Sequence, residues 1–145
     1  MEPRRKVEIF MHMYTKERKK TMGIALWIVR SLLALAFLLT GWTKAVTPVG
    51  RLGSYKAWVT ATPVALVRGI GIAELVGAIG LILPVLTGMV PWLTIAAAIG
   101  LAVVMASAAV FHAARKEYRE LALTLALLVV VLFVVVGHVI WVPLA

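Results

Sequence analysis

The chain has 145 residues, of which 63% are hydrophobic and 14% are charged, whereas a soluble domain is about half apolar and a quarter charged. The composition predicts an integral membrane protein of one domain. The formal net charge is +9, but seven of the fifteen basic residues precede residue 21 and most others flank apolar segments. This is a membrane-anchoring pattern, which argues against nucleic-acid binding.

The chain contains no cysteine. Disulfide exchange, iron–sulfur clusters and thiolate metal sites within the chain are therefore excluded. Any redox role requires a bound cofactor or a partner protein.

Residues 1–21 are rich in charge, contain Pro3 and lack a regular apolar stripe at helical spacing. We expect this segment to be a flexible, disordered or surface-lying basic tail. The folded domain then comprises residues 22–145.

Four apolar segments follow the tail, each about the length that crosses a bilayer as a helix. They cover residues 22–43, 67–86, 92–112 and 121–142. The sequence thus predicts an all-α integral membrane protein, a four-transmembrane-helix bundle. An even number of spans places both chain termini on one side, here called the terminal face, and the connections after the first and third spans on the other, the loop face.

Aromatic residues, which favour membrane interfaces, agree with this arrangement. The terminal face is predicted to carry Trp27, Trp92 and Trp141, and the loop face Trp42, Tyr55, Trp58 and Tyr118. Each face has seven basic residues, and the dense run before the first span slightly favours cytoplasmic termini.

The segment 45–66 is too polar to span a membrane and too apolar for a free loop. We predict a short interfacial or re-entrant segment between the first and second spans, with Pro63 returning the chain to the membrane. The next turn, residues 86–91, is short and uncharged.

The second span contains one carboxylate, Glu74, and small residues at Gly69, Ala73 and Gly77. A buried charge in a membrane costs at least about 2.5 kcal/mol, so Glu74 is expected to face protein. The small residues predict the face along which another helix approaches.

Helical rise places Lys44, Glu74 and His112 near the loop face, where Trp58 would cover them. Arg30 lies near mid-membrane and is expected to lean toward Glu74. Together these five residues are the predicted ligand-binding or proton-handling candidates; no catalytic residue is assigned. The structural alternatives stay open: an Arg30–Glu74 pair that fixes helix register, Lys44 as an interfacial anchor, and His112 bonded to a loop carbonyl.

His138, near the terminal face, is interpreted as snorkelling or bonding to a carbonyl. Because His112 and His138 lie near opposite faces, they cannot ligate one haem from both sides. One histidine and one carboxylate are also a poor metal-ligand set. We expect no metal site.

The order of these motifs resembles the DoxX-like family of small four-span bacterial and archaeal membrane proteins. The resemblance covers about residues 24–140 and rests on Arg30, the segment LAFLLTGWTK at 35–44, the segment GIAELVGAIGLILP at 71–84, His112 and Glu117. It implies a four-helix bundle in the plasma (inner) membrane. It also implies an association with quinone-linked redox chemistry, as in the small subunits of thiosulfate:quinone oxidoreductase.

The leading hypothesis is a membrane subunit that holds a quinone or similar amphipathic molecule at the loop face and works with a soluble or membrane redox partner. In this hypothesis Glu74 and His112 bond to the ligand oxygens or exchange protons with them, and Arg30 tunes Glu74. The alternatives are a non-enzymatic scaffold or assembly subunit and a small permease. Enzymatic activity, ligand identity and homo-oligomerisation are left open.

Overall fold

The computed structural model describes residues 3–54, 56–88, 90 and 92–141. The long helices are α1 (Pro3–Val46), α4 (Val64–Thr87), α5 (Trp92–Ala114) and α6 (Tyr118–Val136), which continues as a π-helical turn (Gly137–Trp141). Two short helices, α2 (Val49–Gly53) and α3 (Ala57–Thr60), connect α1 to α4. Within the described residues four helices are long and apolar enough to cross a membrane, which confirms the predicted all-α, four-span fold.

The helices form a closed bundle in which α1 packs on α4, α4 on α5, and α5 on α6. The end of α6 and the π-helical turn return to α1, where Gly137 lies against Leu26. The start of the first span and the end of the last therefore lie together at the terminal face.

All four long helices contribute to one apolar core. Its buried side chains are Leu33, Ala34, Phe37, Ala78, Leu81, Ala98, Leu101, Met105, Val131 and Val134. Large apolar side chains such as Leu32, Val76 and Val129 are exposed on the outside, where a bilayer would surround them. Because inside and outside are equally apolar, close fit rather than hydrophobicity selects the packing faces.

The closest approach between α1 and α4 is made by two glycines. A Cβ on Gly41 would lie 2.8 Å from the Gly71 carbonyl oxygen, and one on Gly71 would lie 2.8 Å from the Ala45 nitrogen. Glycine is therefore required at both positions for the helices to pack at this distance.

The sequence predicted that Gly69, Ala73 and Gly77 lie on the face of α4 that contacts another helix. This prediction is wrong for Gly69 and Ala73. Gly69 and Ala73 are exposed, and no atom lies within 4 Å of a Cβ built on Gly69. Gly77 does make a contact, with Leu101 of α5. The buried face of α4 instead includes Gly71 and Glu74, because this rotation brings the carboxylate to partners on α1.

The basic segment before the first span is helical, in contrast to the expected disordered tail. Helix α1 begins at Pro3, and residues 3–21 are exposed along their whole length. Proline is favoured in a first helical turn, and neither proline nor glycine follows before Gly23. The Arg, Lys, Glu and Met residues between them are good helix formers, so the first span extends outward as one helix.

The short segment after α1 folds against the start of α4, as the sequence predicted for a non-spanning connection. Leu52, Trp58 and Val59 are buried together with Val67 of α4. Pro63 precedes α4 with an extended backbone (φ −55°, ψ 134°) and redirects the chain into the membrane. Trp58 is only 6% exposed, so it belongs to this packed segment rather than to an interfacial belt.

Helix α4 ends at Gly88, whose φ of +66° is the left-handed conformation typical of a helix C-terminus. Residues 89 and 91 of the predicted turn, Tyr55 of the predicted aromatic belt, and residue 142 of the fourth span lie outside the described residues.

Candidate functional site

Glu74 forms a buried ion pair between α1 and α4. Its side chain is 1% exposed, and Lys44 Nζ donates to Oε1 at 2.5 Å. Thr40 Oγ1 donates to the other carboxylate oxygen, Oε2, at 3.0 Å. Both oxygens therefore have a donor, which compensates the cost of removing the carboxylate from water.

The local sequence of α1 explains this geometry. Thr40 and Lys44 are four residues apart, so they lie on one face of the helix, and Gly41 lies next to Thr40. The close approach at Gly41 and Gly71 brings both donors within reach of Glu74. Arg68 of α4 secures the same junction by donating from Nη1 to the Lys44 carbonyl oxygen at 2.8 Å.

His112, at the end of α5, is held by a carboxylate in the following turn. Its Nδ1 lies 2.7 Å from Glu117 Oε2, and Arg115 Nε donates to Glu117 Oε1 at 2.9 Å. Burial by itself raises the pKa of Glu117, but the hydrogen bonds to His112 and Arg115 outweigh it, so the pKa lies below its ordinary value. An ionised Glu117 favours the proton on His112 Nδ1, which leaves Nε2 as the ring nitrogen available to a ligand.

Trp58 connects the two polar groups. Its ring packs edge-on against His112, with 5.8 Å between the ring centroids, and Lys44 Nζ lies 6.0 Å from its centroid. The buried indole nitrogen Nε1 has no hydrogen-bond partner among the described residues. A buried N–H without an acceptor costs about 1–3 kcal/mol, and among the described residues this donor is left unsatisfied.

These side chains line a cavity of about 650 Å³ between α1, α4, α5, α6 and the α2–α3 segment. Its polar lining includes Thr40, Lys44, Lys56, Trp58, Thr62, Glu74, His112, Glu120 and Thr124, and its apolar lining includes Val103, Met105, Leu127 and Val130. By helical rise, Val103 lies about 13 Å deeper in the membrane than His112. The cavity therefore runs from a polar end at the loop face to an apolar end near mid-membrane.

The structure brings four of the five predicted candidates together, since Lys44, Trp58, Glu74 and His112 all line this cavity. Whether they bind a ligand or move protons stays a prediction. The alternative of a purely anchoring Lys44 does not fit its bond to Glu74.

The predicted approach of Arg30 to Glu74 is wrong. Arg30 Nη1 lies 3.2 Å from His138 Nε2, and the guanidinium carbon lies 4.1 Å from the centroid of the Trp27 ring. Helical side chains lean toward the N-terminus of their helix, which in α1 is away from Glu74. About 15 Å of helical rise also separates Arg30 from Thr40, which bonds to Glu74.

Several polar contributors were missed from the sequence. Thr40 could have been found, because it lies one turn before Lys44 on the same face. Lys56 Nζ lies 3.3 Å from Glu120 Oε2, an ion pair that joins the connecting segment to α6 beside the cavity. The spacing of these residues in the sequence does not predict this pair. The carbonyl bond expected of His138 is present, from Nδ1 to Val134 at 2.9 Å, but its contact with Arg30 was not foreseen.

The polar end of the cavity offers hydrogen-bond donors and the two ion pairs Lys44–Glu74 and Lys56–Glu120. Among residues 3–54, 56–88, 90 and 92–141, no three His, Asp or Glu side chains are close enough to share a metal ion.

Comparison with known protein families identifies a match over most of the chain. Residues 28–134 match the DoxX-like family. The match includes the second and third spans completely and leaves out the outer ends of the first and fourth spans. No curated protein and no solved structure matches the chain significantly.

Proposed function

The chain belongs to the DoxX-like family of membrane proteins, and on that premise we propose that it binds a quinone, or a similar small amphipathic molecule, in the loop-face cavity. In this role it is a membrane subunit that supports redox chemistry together with a partner protein. The observation that carries the proposal is the cavity itself, which has one polar end and a long apolar part that reaches the exposed Val103.

The size and lining of the cavity suit such a ligand. Its volume of about 650 Å³ is in the usual range for small-molecule sites, about 300–1,000 Å³, which are mostly apolar with a few convergent polar groups. A quinone ring and the first part of an isoprenoid tail have the same distribution of polar and apolar surface. The tail would lie along Val103, Leu127 and Val130.

Three groups at the polar end are suited to ligand carbonyl oxygens. Trp58 Nε1 has no acceptor among the described residues, Lys44 Nζ has N–H groups beyond the one given to Glu74, and His112 keeps Nε2. Glu74 acts as a positioning residue, because both its oxygens are engaged and it holds Lys44 in place. His112 with Glu117 is the pair best placed to hold or pass a proton near the loop face.

Quinone binding to the purified protein tests this function. A short-chain ubiquinone and a short-chain menaquinone would be titrated into detergent-solubilised protein and followed by calorimetry, with native mass spectrometry to detect co-purified quinone. Replacement of Lys44 by Met or His112 by Gln should weaken binding at least about tenfold, the loss expected for a hydrogen bond to a charged or buried group. The matched control His12→Gln, exposed on the outer part of α1, should bind as the wild type does.

Absence of quinone binding by the wild type, or equal affinity in His112→Gln and His12→Gln, would refute the assignment. A partner role would be tested separately, by co-purification of bound chains and by quinone reduction in membranes that contain or lack the protein.

The second candidate function is a scaffold or assembly subunit, and one observation favours it. The Lys44–Glu74 pair lies beside the Gly41–Gly71 contact, so it could serve only to fix the register of α1 and α4. A scaffold predicts that Lys44→Met combined with Glu74→Leu retains both membrane abundance and partner assembly. A ligand site predicts that the same double variant is abundant but does not bind quinone.

A further inference from the structure

Arg30 is buried near the terminal face without enough partners. Arg30 is 1% exposed, and within the described part of the chain its one polar contact is made by Nη1, with His138. Nε and Nη2 have no hydrogen-bond partner among the described residues. A guanidinium stays charged in proteins, so Arg30 is a buried cation that the described residues do not fully compensate.

No described carboxylate supplies the missing charge. Glu74 pairs with Lys44, Glu117 with His112 and Arg115, and Glu120 with Lys56, while Glu8 and Glu17 are exposed on the outer part of α1. The three paired acids also lie toward the loop face, and Arg30 lies toward the terminal face.

His138 is fixed so that it cannot neutralise Arg30. Its Nδ1 lies 2.9 Å from the Val134 carbonyl oxygen, which can only accept, so Nδ1 carries the proton. Nε2 is then the acceptor of the N–H from Arg30. In the same turn, a Cβ on Gly137 would overlap the end of the Leu26 side chain of α1, and the turn itself is π-helical, a feature frequent at functional sites.

From a backbone position near mid-membrane, the Arg30 side chain reaches toward the terminal face and the ring of Trp27. It stacks on Trp27, and Trp27 and Trp141 are 38% and 39% exposed. Tryptophan side chains concentrate at the headgroup level of a bilayer. The Trp27 ring lies over the guanidinium and is itself partly exposed, so one side chain separates the cation from the outside of the bundle on this side.

The outer part of α1 adds positive charge on the same side. It carries Arg4, Arg5, Lys6, Lys16, Arg18, Lys19 and Lys20 against Glu8 and Glu17. Basic residues next to a membrane-spanning helix attract anionic headgroups, and they raise the local concentration of any anion.

We propose that Arg30, oriented by His138 and covered by Trp27, binds one oxyanion of the phosphate type at the terminal face, apart from the loop-face cavity. The planar guanidinium offers two N–H-bearing nitrogens to such a group, the arrangement that arginine uses for bidentate phosphate recognition. The phosphate comes either from a lipid headgroup or from solution.

Two measurements on the full-length protein distinguish these sources. In the first, detergent-solubilised protein is titrated with inorganic phosphate at constant ionic strength and the Tm is followed. In the second, protein recovered from vesicles of phosphatidylglycerol and phosphatidylcholine is analysed by native mass spectrometry for retained phospholipid. Each measurement is repeated on Arg30→Gln and on Arg18→Gln, an exposed arginine of α1.

A Tm increase with phosphate that Arg30→Gln loses and Arg18→Gln keeps would identify a free anion. One retained phospholipid with the same dependence would identify a headgroup. Neither effect in the wild type, or equal effects in both variants, would overturn the proposal. If Arg30→Gln does not fold, Arg30→Lys replaces it: a lysine loses the two-nitrogen contact, so affinity should fall at least about tenfold, and unchanged affinity would overturn the site.

Discussion

At the loop face the buried acid has a partner of opposite sign in the same chain, whereas at the terminal face the buried base has none among the residues that the structure describes. Glu74 is bonded by Lys44 and Thr40, while the polar and aromatic partners of Arg30 within the described residues are the His138 imidazole and the Trp27 ring. Protein groups thus compensate the cost of removing the Glu74 charge from water, whereas the described residues do not fully compensate that of Arg30. A charge satisfied internally holds the helices together, and one left unsatisfied is available to a ligand.

The largest effect that tests this comparison is expected from Glu74→Leu. Breaking a buried pair leaves Lys44 without its carboxylate and should lower the free energy of unfolding by about 3 kcal/mol, at the low end for buried pairs because Lys44 is 14% exposed. Circular dichroism during unfolding in mixed micelles measures it. The double variant with Lys44→Met should recover most of the loss; a double variant as unstable as Glu74→Leu would contradict the pairing.

A smaller effect is expected from Arg30→Met in lipid-depleted, phosphate-free detergent. The variant loses the contact with Trp27 and the hydrogen bond to His138, but it no longer buries an uncompensated charge. These terms oppose each other, so the free energy of unfolding should change by less than about 1 kcal/mol. The same unfolding experiment applies, and a loss as large as that of Glu74→Leu would show that the two regions do not differ.

The smallest effect concerns pH and Glu117, which lies in the turn between α5 and α6 outside the spans. The pKa of Glu117 in the folded protein lies below the ordinary value of about 4.3. Its bonds with His112 and Arg115 therefore contribute stability fully at pH values above that ordinary pKa. This contribution is lost as pH falls through the lower, folded-state pKa. Because the carboxylate is partly exposed, the contribution should be under about 1 kcal/mol.

The Tm of the wild type and of Glu117→Gln, measured from pH 7 to pH 3, tests this expectation. The wild type should lose more stability than the variant at the acid end of the range. Glu8→Gln, on the exposed part of α1, serves as control and should follow the wild type. Parallel profiles for Glu117→Gln and the wild type would contradict the expected effect.

The amino-acid sequence by itself determined the fold class and the position of each polar residue along its helix. Apolar segment length fixes the number of spans, and helical rise fixes position along the membrane normal. Lys44, Glu74 and His112 were therefore predicted at one level, and the structure places them in one cavity. The helix of residues 3–21 was also readable, because it lacks breakers between Pro3 and Gly23, but the missing apolar stripe obscured it.

Only the tertiary structure decided which polar residues meet. Depth is set along one helix, but a contact also requires the rotation of two helices about their axes. In this bundle the fit of Gly41 to Gly71 and of Gly137 to Leu26 selects that rotation. Apolar side chains lie both inside the bundle and on its outer surface, so the hydrophobic pattern of the sequence does not encode the rotation. For this reason Arg30 was assigned to Glu74 from the sequence, and the structure pairs it with His138 instead.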